Sequence, residues 1–158
     1  MPKSKRSMTG RMVLLGAKLE VCLVWYNTHM KKSIMNHEDQ NIEYKQSWKE
    51  EYLKWICGFA NADGGRMLIG VKDDKEGNEI VGVHEWKSLL EILPNTMRDT
   101  MGMIADVNHI RKAGKDLVEI IVPAYPVPIS LRGVYYVRRG ATNQRLSGPG
   151  LEAFLLKR

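Results

Sequence analysis

The segment from Phe59 to Asp74 constrains the fold of this chain most strongly, because it sets a helix end, a turn and a buried strand in a fixed order. Gly64-Gly65 can adopt positive φ at no steric cost and is able to end the preceding helix. Residues 67–69 form a short apolar run, which is typical of a strand covered on both faces. Asp73-Asp74 follows where this strand leaves the core. The segment therefore predicts an α/β-type unit with carboxylates at a strand end.

Helix and strand patterns follow one another from Asn41 onwards and are separated by short turns. Trp48, Tyr52 and Ile56 recur at helical spacing, and Ser47 is in position to act as the N-cap of that helix. The predicted strands span residues 42–45, 67–71, 79–83, 105–111, 116–123 and 134–139, and the predicted helices span 48–60, 85–101 (interrupted near Pro94) and 148–157. Strands and helices mixed along one chain predict an α+β domain.

Length and charge limit the class of protein. With 158 residues the chain has the length of one domain, and its apolar and charged fractions of 44% and 27% are ordinary for a globular protein. No run approaches the roughly 18 apolar residues of a membrane span, so no membrane partner is expected. Residues 1–35 hold seven basic side chains and one acidic side chain, which accounts for the whole net charge of +6. The remaining residues are balanced, so a nucleic-acid-binding surface must come from a local cluster of cations.

Residues 1–34 differ in character from the rest, because they lack the turns and short periodic segments that follow. Two interpretations are open: a flexible basic arm, or an artefactual extension ahead of a natural start at Met35. The domain proper is predicted over residues 35–158. Cys22 and Cys57 lack metal-ligand spacing, and Cys57 falls in a helical apolar pattern. This pattern indicates a buried thiol in a reducing compartment, and therefore a cytoplasmic protein.

Three motifs link the chain to a known family. They are Phe59-Ala60-Asn61-x-x-Gly64-Gly65 followed by Ile69-Gly70-Val71, the upstream run from Glu38 to Lys45, and Tyr135-Tyr136-x-Arg138-x-Gly140. In combination they closely resemble the AlbA-like domain of the Schlafen family and its bacterial relatives. The resemblance implies a single mixed-sheet AlbA-like domain with flanking helices, acting as the N-terminal module of a longer regulator. Bacterial members are described as DNA-binding modules of transcriptional regulators.

The same resemblance implies a metal site. In catalytically active Schlafen relatives, two glutamates with the spacing of Glu38 and Glu43 join an aspartate at the position of Asp73 to bind a metal for RNA cleavage. Carboxylate oxygens suit Mg²⁺ or Mn²⁺, and Lys45 could hold the phosphate. The alternative is that these carboxylates are solvated or paired with lysines such as Lys45 and Lys72, with no cofactor. The vertebrate enzymes also carry a zinc-binding His/Cys cluster, which has no counterpart in this sequence. They build their groove from two AlbA-like lobes, whereas this chain has one, so a nuclease built from this chain would need a homodimer.

A stretch of basic and aromatic residues lies between Arg132 and Arg145 and contains no acidic residue. Arginine can contact phosphates and tyrosine can stack on bases. On a strand, Arg138 and Arg139 point to opposite faces, so at most one can face the core, where it must find an acidic or carbonyl partner. The alternative is a hairpin whose tyrosines pack inward and whose arginines are merely solvated. The candidate nucleic-acid contacts are Lys45, Arg132, Tyr135, Tyr136, Arg138, Arg139 and Arg145.

The order of elements around Gly64-Gly65 is the reverse of the strand-to-helix order of a P-loop, so a nucleotide-phosphate loop is not indicated. Asn61 and Asp63 are expected to cap the helix end or the turn. The favoured function is a nucleic-acid-binding module of a transcriptional regulator, with DNA and RNA both open as partners. A metal-dependent endoribonuclease and a protein-interaction module are the alternatives, so the sequence leaves enzymatic activity open.

Overall fold

A four-stranded mixed sheet forms the centre of the domain. The computed structural model describes residues 40–74 and 77–158. The elements follow one another as β1 (Ile42–Lys45), a 3₁₀ turn (Glu50–Tyr52), α1 (Leu53–Ala60), β2 (Gly65–Ile69), β3 (Val71–Asp74), β4 (Gly77–Ile80), α2 (Trp86–Met101), β5 (Asp106–Lys112), β6 (Lys115–Val122), β7 (Tyr136–Arg139), β8 (Thr142–Arg145) and α3 (Gly148–Leu156). This arrangement confirms the predicted α+β class.

The strand order of the central sheet is β1-β2-β6-β5, with β1 parallel to β2 and the other pairs antiparallel. The apolar run of β2 lies in the middle of this sheet, and Met67, Leu68 and Ile69 are fully buried. Two hairpins lie outside the sheet, formed by β3 with β4 and by β7 with β8. The strands predicted over residues 105–111 and 116–123 form the hairpin of β5 and β6, with Ala113 and Gly114 in its turn at positive φ.

Gly70 explains why the strand predicted over residues 67–71 is divided into two. Its φ of 103° turns the chain, so β2 ends at Ile69 and β3 begins at Val71. The Gly70 N–H donates to the Lys45 carbonyl, and the Gly70 carbonyl accepts from Val81 and Gly82. These bonds also end β4 early, because the N–H groups of residues 81 and 82 donate to Gly70. The strand predicted over residues 79–83 is therefore found at Gly77–Ile80.

The first two helices differ from prediction in opposite ways. Helix α1 begins at Leu53 rather than at residue 48, because a 3₁₀ turn precedes it, and Ser47 does not cap it. Helix α2 passes through Pro94 without interruption. A proline removes one backbone hydrogen bond from a helix. Packing of the buried face outweighs this loss in α2, where the buried residues are Leu89, Leu93, Met97 and Met101.

The glycine pair forms the predicted turn between α1 and β2. Gly64 has φ of 76°, and its N–H donates to the Phe59 carbonyl at 2.9 Å. Gly65 is required for a different reason, which is close packing. A Cβ atom on Gly65 would lie 2.3 Å from Cδ1 of Phe59 and 2.9 Å from the carbonyl oxygen of Asn41. The second glycine therefore lets the buried Phe59 ring approach the start of β2.

Replacing Gly65 by alanine is expected to lower the free energy of unfolding by about 1–3 kcal/mol, because Phe59 and the backbone at Asn41 must move. Urea unfolding followed by circular dichroism measures this change. Gly150 provides the matched control, since it lies in α3 with nothing within 4 Å of an added Cβ. Gly150→Ala is expected to leave stability unchanged or to raise it by at most about 1 kcal/mol. Equal effects of the two substitutions would contradict the packing role of Gly65.

Candidate nucleic-acid interface

The hairpin of β7 and β8 packs against α1 and carries most of the candidate contacts. Its register pairs Tyr136 with Arg145 and Arg138 with Asn143. Directly paired residues share one face of a hairpin, so these four side chains lie on the same face. The Asn143 amide donates to the Lys54 carbonyl of α1 at 3.0 Å, which fixes this face against the helix. The strand predicted over residues 134–139 is β7, which begins two residues later, at Tyr136.

Arg138 is a fully buried arginine. Its side chain is 0% exposed, and its guanidinium donates to Oε2 of Glu43 at 2.5 Å and to the Ile42 carbonyl at 3.1 Å. The guanidinium carbon also lies 5.0 Å from the centre of the Phe59 ring. An inward-facing arginine was expected to have an acidic or a carbonyl partner, and Arg138 has one of each. Its side chain connects β7 to β1 and does not reach the solvent.

Glu43 receives a second cation from its own strand. Its residue is 2% exposed, and Nζ of Lys45 lies 2.5 Å from Oε1 while Arg138 binds Oε2. Each carboxylate oxygen therefore meets a positive charge. A buried carboxylate is tolerated in a protein when it is paired in this way. The pairing of Glu43 with Lys45 is the arrangement that the sequence offered as the alternative to a metal site.

The other two members of the predicted metal site are less constrained. Asp73 is an exposed residue of β3, opposite Asn78 in the hairpin. Glu38 lies outside the described residues. Within residues 40–74 and 77–158 no group of three or more histidine, cysteine, aspartate or glutamate side chains is arranged to hold a metal ion. The site formed by Glu38, Glu43 and Asp73 stays a prediction.

Three arginines of the candidate set are exposed. Arg139 lies beside the hairpin turn, while Arg145 is at the opposite end of β8. Arg132 pairs with Glu50 at 2.5 Å, and both side chains are more than 60% exposed. An exposed ion pair of this kind contributes about 0–1 kcal/mol and exchanges readily with other partners. Arg139 and Arg145 form no ion pair within the part of the chain that the structure describes.

Both candidate tyrosines are half-buried. The Tyr135 ring makes an edge contact with Phe154 of α3, with 6.4 Å between ring centres. Tyr136 packs against the core, yet it also lines a cleft between α1 and β7. Tyr135 is therefore engaged with the last helix, whereas part of Tyr136 is accessible from the surface.

This opening, which we call the α1–β7 cleft, has a volume of about 400 Å³. Its apolar lining comes from Leu53, Leu131 and Tyr136. Its charged lining consists of two acids and two cations, namely Glu50, Glu51, Lys54 and Arg132. The cleft thus combines an apolar and aromatic surface with charges that sum to zero.

Comparison with known proteins identifies the family. Residues 38–147 match the family described as Schlafen, AlbA_2, which is more than half of the chain. The chain belongs to this family. No curated protein matches it.

Two solved structures are similar to the AlbA_2 domain. The DIP2311 protein from Corynebacterium diphtheriae has a TM-score of 0.53 and 18% identity over 68% of this chain, and its similarity supports the fold. This chain covers 22% of that protein, or about a fifth of its length. The N-terminal domain of a RecG-related protein from Nitrosomonas europaea has a TM-score of 0.49 and 23% identity, over 68% of this chain and 83% of that one.

Asn61 of the family motif connects two distant segments of the AlbA_2 domain. Its side-chain amide donates to the carbonyls of Ile129 at 2.7 Å and Tyr136 at 2.8 Å, and its Oδ1 accepts from the Ile129 N–H at 2.8 Å. Asn61 is the C-cap residue of α1, as predicted, and its backbone N–H donates to the Cys57 carbonyl at 3.1 Å. Its side chain turns inward because it satisfies three buried backbone groups there.

The AlbA_2 domain also has a cluster of three half-buried aromatic residues in α1 and the segment before it. Tyr52 makes edge-to-face contacts with Trp48 and with Trp55, and all three residues are half-buried. The Nζ atoms of Lys45 and Lys54 each lie 4.6 Å from the centre of the Trp55 ring. The cluster was not among the candidate contacts, because its helical spacing in the sequence indicated only the apolar face of a helix.

Cys57 fulfils the prediction of a buried thiol. It is free and buried, and its Sγ donates to the Ile129 carbonyl at 3.4 Å. Burial raises the pKa of the Cys57 thiol, which disfavours the nucleophilic thiolate. Cys22 lies outside the described residues. Among the helices that the structure describes, none is long and apolar enough to cross a membrane.

Proposed function

We propose that this AlbA_2 domain is a nucleic-acid-binding module that contacts phosphates through Arg139 and Arg145. The observation that carries this proposal is the division of roles between neighbouring arginines. Arg138 is paired with Glu43 in the core, while Arg139 and Arg145 are exposed and have no ion-pair partner among the described residues. Since the charge of residues 36–158 is balanced, exposed cations without partners are the groups that attract a polyanion.

The remaining candidate contacts have graded roles in this proposal. Lys45 and Arg138 both pair with Glu43, and the pair formed by Arg138 connects the hairpin to β1. Arg132 can exchange its exposed partner Glu50 for a phosphate, because exposed pairs are weak. Relatives in the Schlafen family are associated with nucleic acid, which agrees with the proposed phosphate contacts. We further propose that the domain acts as the N-terminal module of a longer transcriptional regulator.

Removing the two exposed arginines tests the proposal. The double variant Arg139→Ala/Arg145→Ala is expected to bind a labelled oligonucleotide about tenfold more weakly at low salt, to a similar extent for all sequences. The slope of log K against log salt should decrease in magnitude by about one to two, as expected for two lost phosphate contacts. Fluorescence anisotropy over a salt series measures both quantities.

Two controls separate the effect of these two arginines from that of other cations. Arg98→Ala removes an exposed arginine of α2 that is paired with Asp99, and it should leave the affinity unchanged. A chain that lacks residues 1–34 should still bind, although those residues carry the net charge. Binding that disappears with residues 1–34 and ignores the arginine changes would assign the function to that segment. Absence of binding by the full chain would favour a protein-interaction module.

A further inference from the structure

We infer that the α1–β7 cleft binds one unpaired guanine of a single-stranded nucleic acid. This inference rests on the proposed function and adds the class of ligand that the surface selects. The cleft has about 400 Å³ of space, within the roughly 300–1,000 Å³ that small-molecule sites occupy. Its partly exposed residue Leu131 and the accessible part of Tyr136 suit the flat, weakly polar face of a base.

The charges around the cleft argue against a free anion as its ligand. Glu50 and Glu51 balance Lys54 and Arg132, so the lining carries no net charge. An inorganic phosphate or an acidic peptide would meet two carboxylates at short range. A base is itself neutral, while its attached phosphates lie outside the cleft where cations are available. The distribution of charge therefore fits a base inside and a phosphate at the margin.

The hairpin register supplies that marginal cation. Arg145 is paired with Tyr136 across β7 and β8, and residues paired in this way have Cβ atoms about 4.5–5.5 Å apart on the same face. The exposed guanidinium of Arg145 thus starts beside the aromatic residue that lines the cleft. A nucleotide with its base against Tyr136 would place its phosphate within reach of Arg145. The contact to the base and the contact to the phosphate are therefore both assigned to the cross-strand pair of Tyr136 and Arg145.

Glu51 selects the base. Glu50 is bonded to Arg132, whereas Glu51 has no ion-pair partner in the described part of the chain, and a carboxylate can only accept hydrogen bonds. Guanine presents two adjacent donors, its N1–H and its N2 amino group, which match two carboxylate oxygens. Adenine and cytosine offer an amino group beside an acceptor nitrogen, and thymine offers a ring N–H between two carbonyls. The guanine donors are occupied in a duplex, so the strand must be unpaired.

The test measures binding of the full chain to labelled eleven-residue oligothymidylates whose central position is dG, dA, dC or dT. We expect the oligonucleotide with a central dG to bind about tenfold more tightly than the all-thymidine one. The substitution Glu51→Gln should reduce this preference to about twofold or less. Glu91→Gln, an exposed charge change on α2, should retain the preference in full. The same series in oligouridylate shows whether the preference is also present in RNA.

The outcomes separate the inference from the proposed function. Binding that is independent of the central base would overturn the guanine site and leave the phosphate contacts standing. A guanine preference that survives Glu51→Gln would also overturn it, because the base would then be read elsewhere. Tighter binding to a duplex than to the single strand would contradict the unpaired ligand. If the full chain bound none of the oligonucleotides, both the site and the proposed function would be wrong.

Discussion

Replacement of Arg138 by alanine is expected to lower the free energy of unfolding by about 3–5 kcal/mol, because it leaves Glu43 buried with half of its charge compensation. The carboxylate would retain Lys45 on one oxygen and lose the guanidinium on the other. The β7–β8 hairpin would also lose its connection to the Ile42 carbonyl of β1. Urea unfolding followed by tryptophan fluorescence measures the loss.

The control for this variant is Arg98→Ala. Arg98 also pairs with a carboxylate, but both partners are more than 60% exposed, so the change should remain within about 1 kcal/mol. Because the Arg138 variant can fail to fold, a double variant gives a second measurement. Glu43→Met/Arg138→Met removes both buried charges and should be more stable than either single methionine variant. A double variant that is less stable than both single variants would show that the charges do not act as a pair.

The second large effect is expected at Asn61. Asn61→Ala should lower the free energy of unfolding by about 2–4 kcal/mol, because the N–H and carbonyl of Ile129 and the carbonyl of Tyr136 lose a buried partner. Thermal and urea unfolding both report this loss. The hairpin should also become looser against α1, which hydrogen exchange at Tyr136 and its neighbours would detect.

Asn95 is the matched control for Asn61. It is an exposed asparagine of α2 whose amide donates within its own helix, to the Glu91 carbonyl at 3.0 Å. Asn95→Ala is expected to change stability by less than about 0.5 kcal/mol. An Asn61 variant as stable as the Asn95 variant would mean that water replaces the lost amide, and that the motif asparagine has another role.

Local signals in the sequence were sufficient for many elements of the fold. The strands predicted over residues 105–111 and 116–123 are found at Asp106–Lys112 and Lys115–Val122, and α3 followed from a helical pattern after Gly148. Two of the predicted boundaries were wrong. The 3₁₀ turn before α1 and the early end of β4 have no strong local signal. The latter is set by hydrogen bonds between Gly70 and residues 81 and 82.

The sequence by itself determined that Arg138 and Arg139 lie on opposite faces of a strand, because side chains alternate along extended backbone. Which of them faces the core was decided by tertiary structure. The partner of Arg138 is Glu43, 95 residues earlier in the chain, and only the packing of β7 against α1 and β1 brings the two together.

The same reason applies to Glu43. The motif fixes a carboxylate at this position, but a carboxylate can compensate cations or bind a metal with the same atoms. The motif does not show which cations surround Glu43, because one of them, Arg138, comes from a distant part of the sequence. Spacing along the chain therefore identified the residue, and the folded environment determined the charges that surround it.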